Sequence, residues 1–576
     1  MGRVRNYFKN KYYRMKNIVK IFCILSVLAF TSCDDFFDTD PDNIINASEY
    51  ISKNDEAYKG FMGILTRMQA AGDQAIFLTD TRGDYLEITP NAPIELQNIY
   101  NYEETNGNEY ADPTCYYSVI SACNDFIAKI GEYKEKRAAG LDEKTLTDYN
   151  AMVSSALRIK VWAYYTLGRI YGKAVWYDSP LNSLTNLNDA SVFTRLNDMT
   201  SIVNACINLL DNGIQQNGET IPADIIMNWV AYLDPETQNE IQYAAWQYLT
   251  PNFLLLRSEL LSWRGSDADW LWMRDNILAF LYKTHTDLTN SSGSYMYSCC
   301  IPFTDKYQAM FFTERIGNNL QLVSSVMYDY ENQQVNRLVQ YFCPDYPGGG
   351  YYLRPSEYAI SKYIEEDVRS FTQRLVMNNI NGQISFSKYF YSRGSYLRTK
   401  VFEIMPSVLL QRGHDFHFLL AEAENHLGNW RQAECILNMG LTNEFPYVTS
   451  LPTDWNTNYT SWFNDNGGYG DIGIVGCVRG RIHPLPKPTD ADYNITEQER
   501  QKIYDLALAD EYLLEYTGEG KSYSYLVKMA ERYGHDGSIV ADRVCPKYPD
   551  TKQPAIRANI EAGGYWVNWN LIGDNK

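Results

Sequence analysis

Apolar residues recur at three- and four-residue intervals along much of this chain, and that spacing predicts amphipathic helices. It is clearest over 148–171, where Ile159, Ala163, Leu167 and Ile170 form one stripe and Gly172 supplies a helix stop. The same period marks 243–263, 413–428 and 497–515. The first three of these segments are each followed by a second helical stretch, at 198–212, 268–282 and 430–440. Segments 55–70 and 114–131 read as a further pair, separated by an Asn- and Tyr-rich loop. His414 to Met439 reads as two antiparallel helices around Gly428, with Ala421, Ala423 and Ala433 permitting close approach. Such units at irregular spacing follow the tetratricopeptide pattern, so the expected fold is mainly α, an irregular helix-pair scaffold over 55–576. Two stretches break the period. Residues 285–400 carry Gly293, Pro302, Gly317, Pro344, Pro347 and Gly348 to Gly350 among short aromatic runs, and 445–495 is similar. Both are expected to be large, loop-rich inserts with small strands. On a helical scaffold, function is expected on such loops.

The N-terminus follows another pattern. Arg3, Arg5, Lys9, Lys11, Arg14, Lys16 and Lys20 precede the apolar run Ile21 to Phe30, then Thr31, Ser32 and Cys33. A basic segment, a short apolar segment and small residues describe a secretory signal over 1–32. The apolar run is shorter than the roughly 20 residues a spanning helix needs. Cys33 after small residues resembles a bacterial lipobox, with Phe30 where Leu is usual, and is the expected lipidation site. Met15 offers a second start. Residues 33–54 are expected to be an acidic tether. Asp38, Asp40, Asp42 and Glu49 fall at EF-hand positions, but Asn43 stands where that loop needs Gly, so no metal is expected.

The chain carries 51 basic and 70 acidic residues, −19 overall. Without residues 1–32 it keeps 44 basic against 70 acidic, −26. That charge repels phosphate backbones, so nucleic acid is not an expected partner. Tyrosine is the outlier in composition, at 47 residues beside 12 Trp. Such rings join an apolar face to a hydrogen-bonding edge and suit sugars, peptides and wet interfaces. The 11 cysteines form no CxxC pair, which leaves a zinc knuckle or thioredoxin-type site unsupported.

Catalytic motifs do not emerge. There is no GxSxG, HExxH or Walker loop. Gly468, Gly470 and Gly473 match a dinucleotide fingerprint in letters only, since Gly480 and Pro484 follow instead of a helix. His414, His417 and His426 share no helix face. Glu511, Glu515 and Glu519, at i, i+4 and i+8, read as a polar helical stripe with Glu519 as a cap. No catalytic residue and no cofactor is expected, and the protein is read as a binder, not an enzyme.

Four segments resemble the SusD/RagB family of Bacteroidetes outer-membrane lipoproteins. Cys33-Asp-Asp-Phe-Phe-Asp38 resembles its lipidated, acidic start, and Ala156 to Gly172 its Leu-Arg-Ala…Tyr…Leu…Tyr-Gly helix. His414 to Ala433 resembles its Ala-Glu-Ala…Leu-Gly…Ala pair. Leu506 to Lys528, with Glu519-Gly520-Lys521, resembles its Glu-Gly-Lys/Arg signature. The extra Tyr516-Thr-Gly518 and the ending Tyr565-Trp-Val-Asn-Trp-Asn-Leu571 depart from the family pattern. The resemblance implies a cell-surface protein, lipid-anchored in the outer membrane, that captures oligosaccharides and delivers them to a SusC-like TonB-dependent transporter. A peptide-binding RagB-like role is the alternative, and a surface glycoside hydrolase a further one.

Sugar stacking needs exposed rings with polar neighbours. Trp162, Trp246, Trp263 and Trp270 lie on repeat helices and read as core. The candidates are Arg82, Asp84 and Tyr85, then Tyr100, Tyr102 and Tyr110 in the Asn-rich loop, whose position between the first helices resembles that of the family's binding loop. Tyr346, Tyr351, Tyr352 and Arg354 around the triple glycine form a second wall.

Overall fold

The computed structural model describes residues 54–137, 140–181, 189–226, 246–288, 321–364 without 331, 376–390 without 381, 405–441 and 482–570, with short pieces at 232–233, 240–241, 310–311, 367, 369 and 474. The signal, Cys33, the acidic tether and the glycines at 468–473 lie outside the described residues.

Helices carry the fold. In chain order they are α1 (Asn54–Ala71), α2 (Gln74–Asp80), α3 (Ile94–Tyr100), α4 (Thr114–Arg137), α5 (Glu143–Tyr171), α6 (Met199–Asn212), α7 (Phe253–Arg264), α8 (Asp267–Leu288), α9 (Leu338–Phe342), α10 (Glu357–Lys362), α11 (Gly413–His426), α12 (Trp430–Asn438), α13 (Glu497–Tyr516), α14 (Ser522–Arg532), α15 (Ser538–Val544) and α16 (Gln553–Asn559). The mainly α, tetratricopeptide-like expectation is what the chain adopts. Successive helices pack as neighbours: α5 lies between α4 and α6, α7 joins α6 to α8, and α11 contacts α8, α12 and α13. Among the described residues no helix is long and apolar enough to cross a membrane.

The central helix α5 shows how local chemistry sets these elements. Asp142 caps its start by accepting from the Thr145 N–H at 2.7 Å. Gly172 ends it at φ 66°, the left-handed conformation glycine adopts without a Cβ penalty. Its interior Arg158 is buried yet satisfied, donating to the Pro251, Ala223 and Ile225 carbonyls. A buried cation without such partners would cost several kcal/mol, by an order-of-magnitude argument.

Three expectations are corrected. The helix read from 243 begins at Phe253, capped by Asn252 and preceded by a short turn at Trp246–Leu249. Pro251 explains the late start, since a proline disfavours helical geometry in the residue before it. The segment read as 114–131 packs chiefly on α5, and α1 reaches it through Phe61 on Phe126 at 5.8 Å. Glu511, Glu515 and Glu519 are buried and not solvated. They accept from Arg369, Arg412 and Lys388 at 2.7–3.3 Å, because cations from the insert and from the strand before α11 converge on α13. Burial opposes ionisation of Glu515, but Arg412, ahead of His414 and Arg369, holds its carboxyl below the usual range.

The strands, all in two-stranded antiparallel pairs among the described residues, are β1 (Leu86–Ile88), β2 (Ala174–Trp176), β3 (Thr194–Leu196), β4 (Ile214–Gln216), β5 (Glu219–Ile221), β6 (Tyr232–Leu233), β7 (Glu240–Ile241), β8 (Leu322–Val326), β9 (Leu353–Pro355), β10 (Met377–Ile380), β11 (Gln383–Phe386) and β12 (Val408–Arg412). One pairing matters most. β1 pairs with β9 in the register Glu87 opposite Arg354, which joins two loops about 270 residues apart in sequence.

Candidate functional site

The β1–β9 seam brings together the two walls picked out in the sequence. Beyond the strands, Thr89 N–H donates to the Tyr352 carbonyl at 2.9 Å, and Ser356 N–H to that of Tyr85 at 2.7 Å. Thr89 Oγ1 donates to the Tyr351 carbonyl, and Asn91 Nδ2 to that of Gly350 at 3.1 Å. Tyr110 and Tyr341 join their hydroxyls at 2.5 Å across the same seam.

The two walls differ in exposure. Arg82, Asp84, Tyr85, Tyr100, Tyr102, Tyr110 and Tyr351 are all buried. Their rings offer no open face for a sugar, which corrects the expectation of exposed stacking residues in the first wall. The cause is a set of long-range partners. Arg82 donates to Glu104 at 2.7 Å and to the Gly564 and Trp566 carbonyls at 2.5 and 3.2 Å. Its guanidinium also covers the Tyr102 ring at 3.9 Å. Burial disfavours that charge, yet Glu104, ahead of Tyr523 and Tyr102, lifts Arg82 above its ordinary pKa. Tyr102 donates to the Arg82 carbonyl at 2.7 Å, and Tyr548 to that of Tyr100 at 2.5 Å. Lys547 donates to the carbonyls of Thr81, Gly83 and Leu86, and burial pushes its ammonium down to about 7. Asp84 faces Arg543 at 3.1 Å, with burial raising its carboxyl pKa against that cation.

Tyr346, Tyr352 and Arg354 remain at the surface, each half-buried. Tyr352 stands edge-on to Tyr341 at 5.0 Å. Arg354 pairs with Glu87 at 2.6 Å and keeps 43% of its side chain exposed. Arg337, which sequence reasoning missed, joins the same region: it pairs with Asp73 at 2.6 Å and covers the Phe77 and Tyr110 rings at 4.9 and 5.5 Å. No local motif marks Arg337 or Glu87; the strand register places Glu87, and the long-range pair with Asp73 places Arg337. The arrangement is a rim of rings and guanidinium groups on a rigid base. It can stack and hydrogen-bond a polyol.

The other candidates sort as follows. Trp162 and Trp270 are core, Trp263 is half-buried, and the Trp246 side chain lies outside the described residues. His414 and His417 are buried in α11, while His426 stacks on Trp270 at 4.7 Å and meets Asp505 at 3.0 Å. Among the described residues no three metal-ligating side chains gather.

No protein-family model matches the chain, and no curated protein does. Solved structures do. A SusD superfamily protein from Bacteroides vulgatus aligns at TM-score 0.54 and 12% identity, over 89% of this chain and 95% of its own. NanU from B. fragilis aligns at 0.53 and 15%, over 88% and 94%. Surface glycan-binding protein A from Bacteroides thetaiotaomicron, solved in complex with laminarihexaose, aligns at 0.51 and 13%, over 88% and 97%. The chain has the SusD-like fold.

Proposed function

We propose that this protein is a cell-surface glycan-binding lipoprotein that captures oligosaccharides and hands them to a TonB-dependent outer-membrane transporter. One observation carries the reading: a SusD-like scaffold, shared with a protein solved on laminarihexaose, presents the half-exposed rim of Tyr346, Tyr352 and Arg354 on a buried base. Residues 33–54 serve as the tether, with Cys33 as its lipid-bearing end. Capture without cleavage is favoured by the α13 carboxylates. Glu511, Glu515 and Glu519 are buried and held by arginine and lysine, so they do not face a substrate as an acid–nucleophile pair must. A chain outside the outer membrane lacks a nucleotide supply, so uptake is powered by the transporter, and this protein raises the ligand concentration at its mouth.

The test is a glycan array with product analysis. Retention with unchanged oligosaccharide length is expected. Shortened products would install the glycoside-hydrolase alternative, and retention of peptides alone the RagB-like one. Cys33→Ala should abolish acyl labelling and membrane association; unchanged fractionation would remove the anchor.

A further inference from the structure

The departure at the C-terminus has a structural counterpart. A groove of about 630 Å³ is lined by Trp566 and Trp569, together with Tyr102, Glu104, Asn197 and His535. A second depression of about 410 Å³, holding Trp263 and Trp270, shares Met199, Glu531 and His535 with it as a common border. Both volumes fall within the roughly 300–1,000 Å³ of ligand pockets.

The segment that carries them is held through its backbone. Arg82 grips the Gly564 and Trp566 carbonyls, Glu104 accepts from Asn568 N–H at 3.0 Å, and Val567 N–H donates to the Ile170 carbonyl at 2.9 Å. Trp566 lies so close over Gly172 that a Cβ there would come within 2.7 Å of the indole. It also stacks on Trp263 at 6.4 Å and 28°. Two features of the groove wall are costly to the fold. Glu104 is 6% exposed, lines the groove, and its Oε2 has no hydrogen-bond partner. Such an acceptor is costly to bury unsatisfied. Tyr102 and His535, both bordering the groove, hold φ of 62° and 60°, a strained left-handed backbone for residues with a Cβ.

The geometry points to a second glycan site, distinct from the Tyr352 rim: a groove that takes an uncharged oligosaccharide, stacked on Trp569 and hydrogen-bonded through Asn197. The inference rests on the glycan-binding reading. Concavity with indole walls and mixed hydrogen-bonding groups suits a sugar better than a flat protein partner. Asp198 and Glu531 outnumber Lys173 around it, Glu104 being paired with Arg82, and in a chain of net charge −19 this disfavours acidic glycans.

The experiment takes the array of neutral and uronic-acid oligosaccharides, then titrates the best-retained neutral glycan into the full chain while following tryptophan emission. The wild type and Tyr352→Ala/Arg354→Ala should both show an emission change. In Trp569→Ala and in Asn197→Arg, which fills the groove from its exposed edge, the change should vanish or its midpoint rise at least about tenfold. Should Trp569→Ala lower the melting temperature, Asn197→Arg decides alone. Groove variants that titrate like the wild type, or retention of acidic glycans only, would overturn this site while leaving glycan capture standing. A wild type that retains no glycan at all overturns both.

Discussion

Two loops of this molecule look alike in sequence and behave oppositely in the fold. The first, 80–110, sets Arg82, Asp84, Tyr85, Tyr100, Tyr102 and Tyr110 among Asn and Gly; the second, 346–354, sets Tyr346, Tyr351, Tyr352 and Arg354 beside three glycines. The six residues named in the first are all interior, while the second leaves Tyr346, Tyr352 and Arg354 at the surface. Polar composition therefore does not imply exposure. A loop rich in polar groups can be buried when its charge finds carbonyls and a carboxylate, as the two terminal nitrogens of Arg82 do, and when a distant cation, Lys547, caps its own carbonyls. Once buried it becomes a base, and binding falls to whatever the base leaves uncovered.

That contrast can be broken by mutation. The largest effect is expected from Arg82→Ala, which strands Glu104 as a buried unpaired carboxylate and releases the Trp566 segment. A loss of about 3–5 kcal/mol in urea unfolding is expected; wild-type stability would show that the first loop is not structural.

Next comes pH. Burial raises the Asp80 carboxyl to about 7, with hydrogen bonds from the Gly520 and Gly518 backbone opposing. The folded protein therefore holds a proton between about pH 4 and 7 that the unfolded chain has released. This contribution to stability is complete below about pH 4, falls as pH rises through 7, and is flat above. Asp80→Asn, which keeps an acceptor for the Gly520 N–H, should gain on the wild type across that window by up to about 4 kcal/mol. Parallel stability profiles for the two proteins would refute the burial of that charge.

Smaller is Tyr102→Phe. It keeps the ring under Arg82 and removes a hydroxyl 2.7 Å from the Arg82 carbonyl and 3.3 Å from the Tyr523 hydroxyl. About 1–2 kcal/mol should be lost, measured by the same unfolding curves. The smallest stability change is expected from Arg354→Ala, under about 1 kcal/mol for an exposed pair, together with weaker glycan retention. The reverse ranking, with Arg354 costly and Arg82 neutral, would invert the assignment of base and rim.

Some of this was legible before any coordinates. The 3.6-residue period located α5, α6, α8, α11, α12 and α13, Gly172 marked the end of α5, and Pro and Gly clusters marked the inserts. These are local properties, decided by side chains within a turn or two of each other. The late start of α7 could also have been read, from Pro251. What lay out of reach depended on partners far along the chain. Glu511, Glu515 and Glu519 have the spacing of a solvated stripe, and only the convergence of Arg369, Arg412 and Lys388 places them inside. Arg82 reads as a sugar contact until the Gly564 and Trp566 carbonyls accept from it, and Tyr102 until its hydroxyl finds the Arg82 carbonyl. Helix formation follows from each residue's near neighbours, so the sequence alone determined the scaffold. Burial of a polar loop follows from whether distant backbone can satisfy it, and only the tertiary structure decides which rings face water.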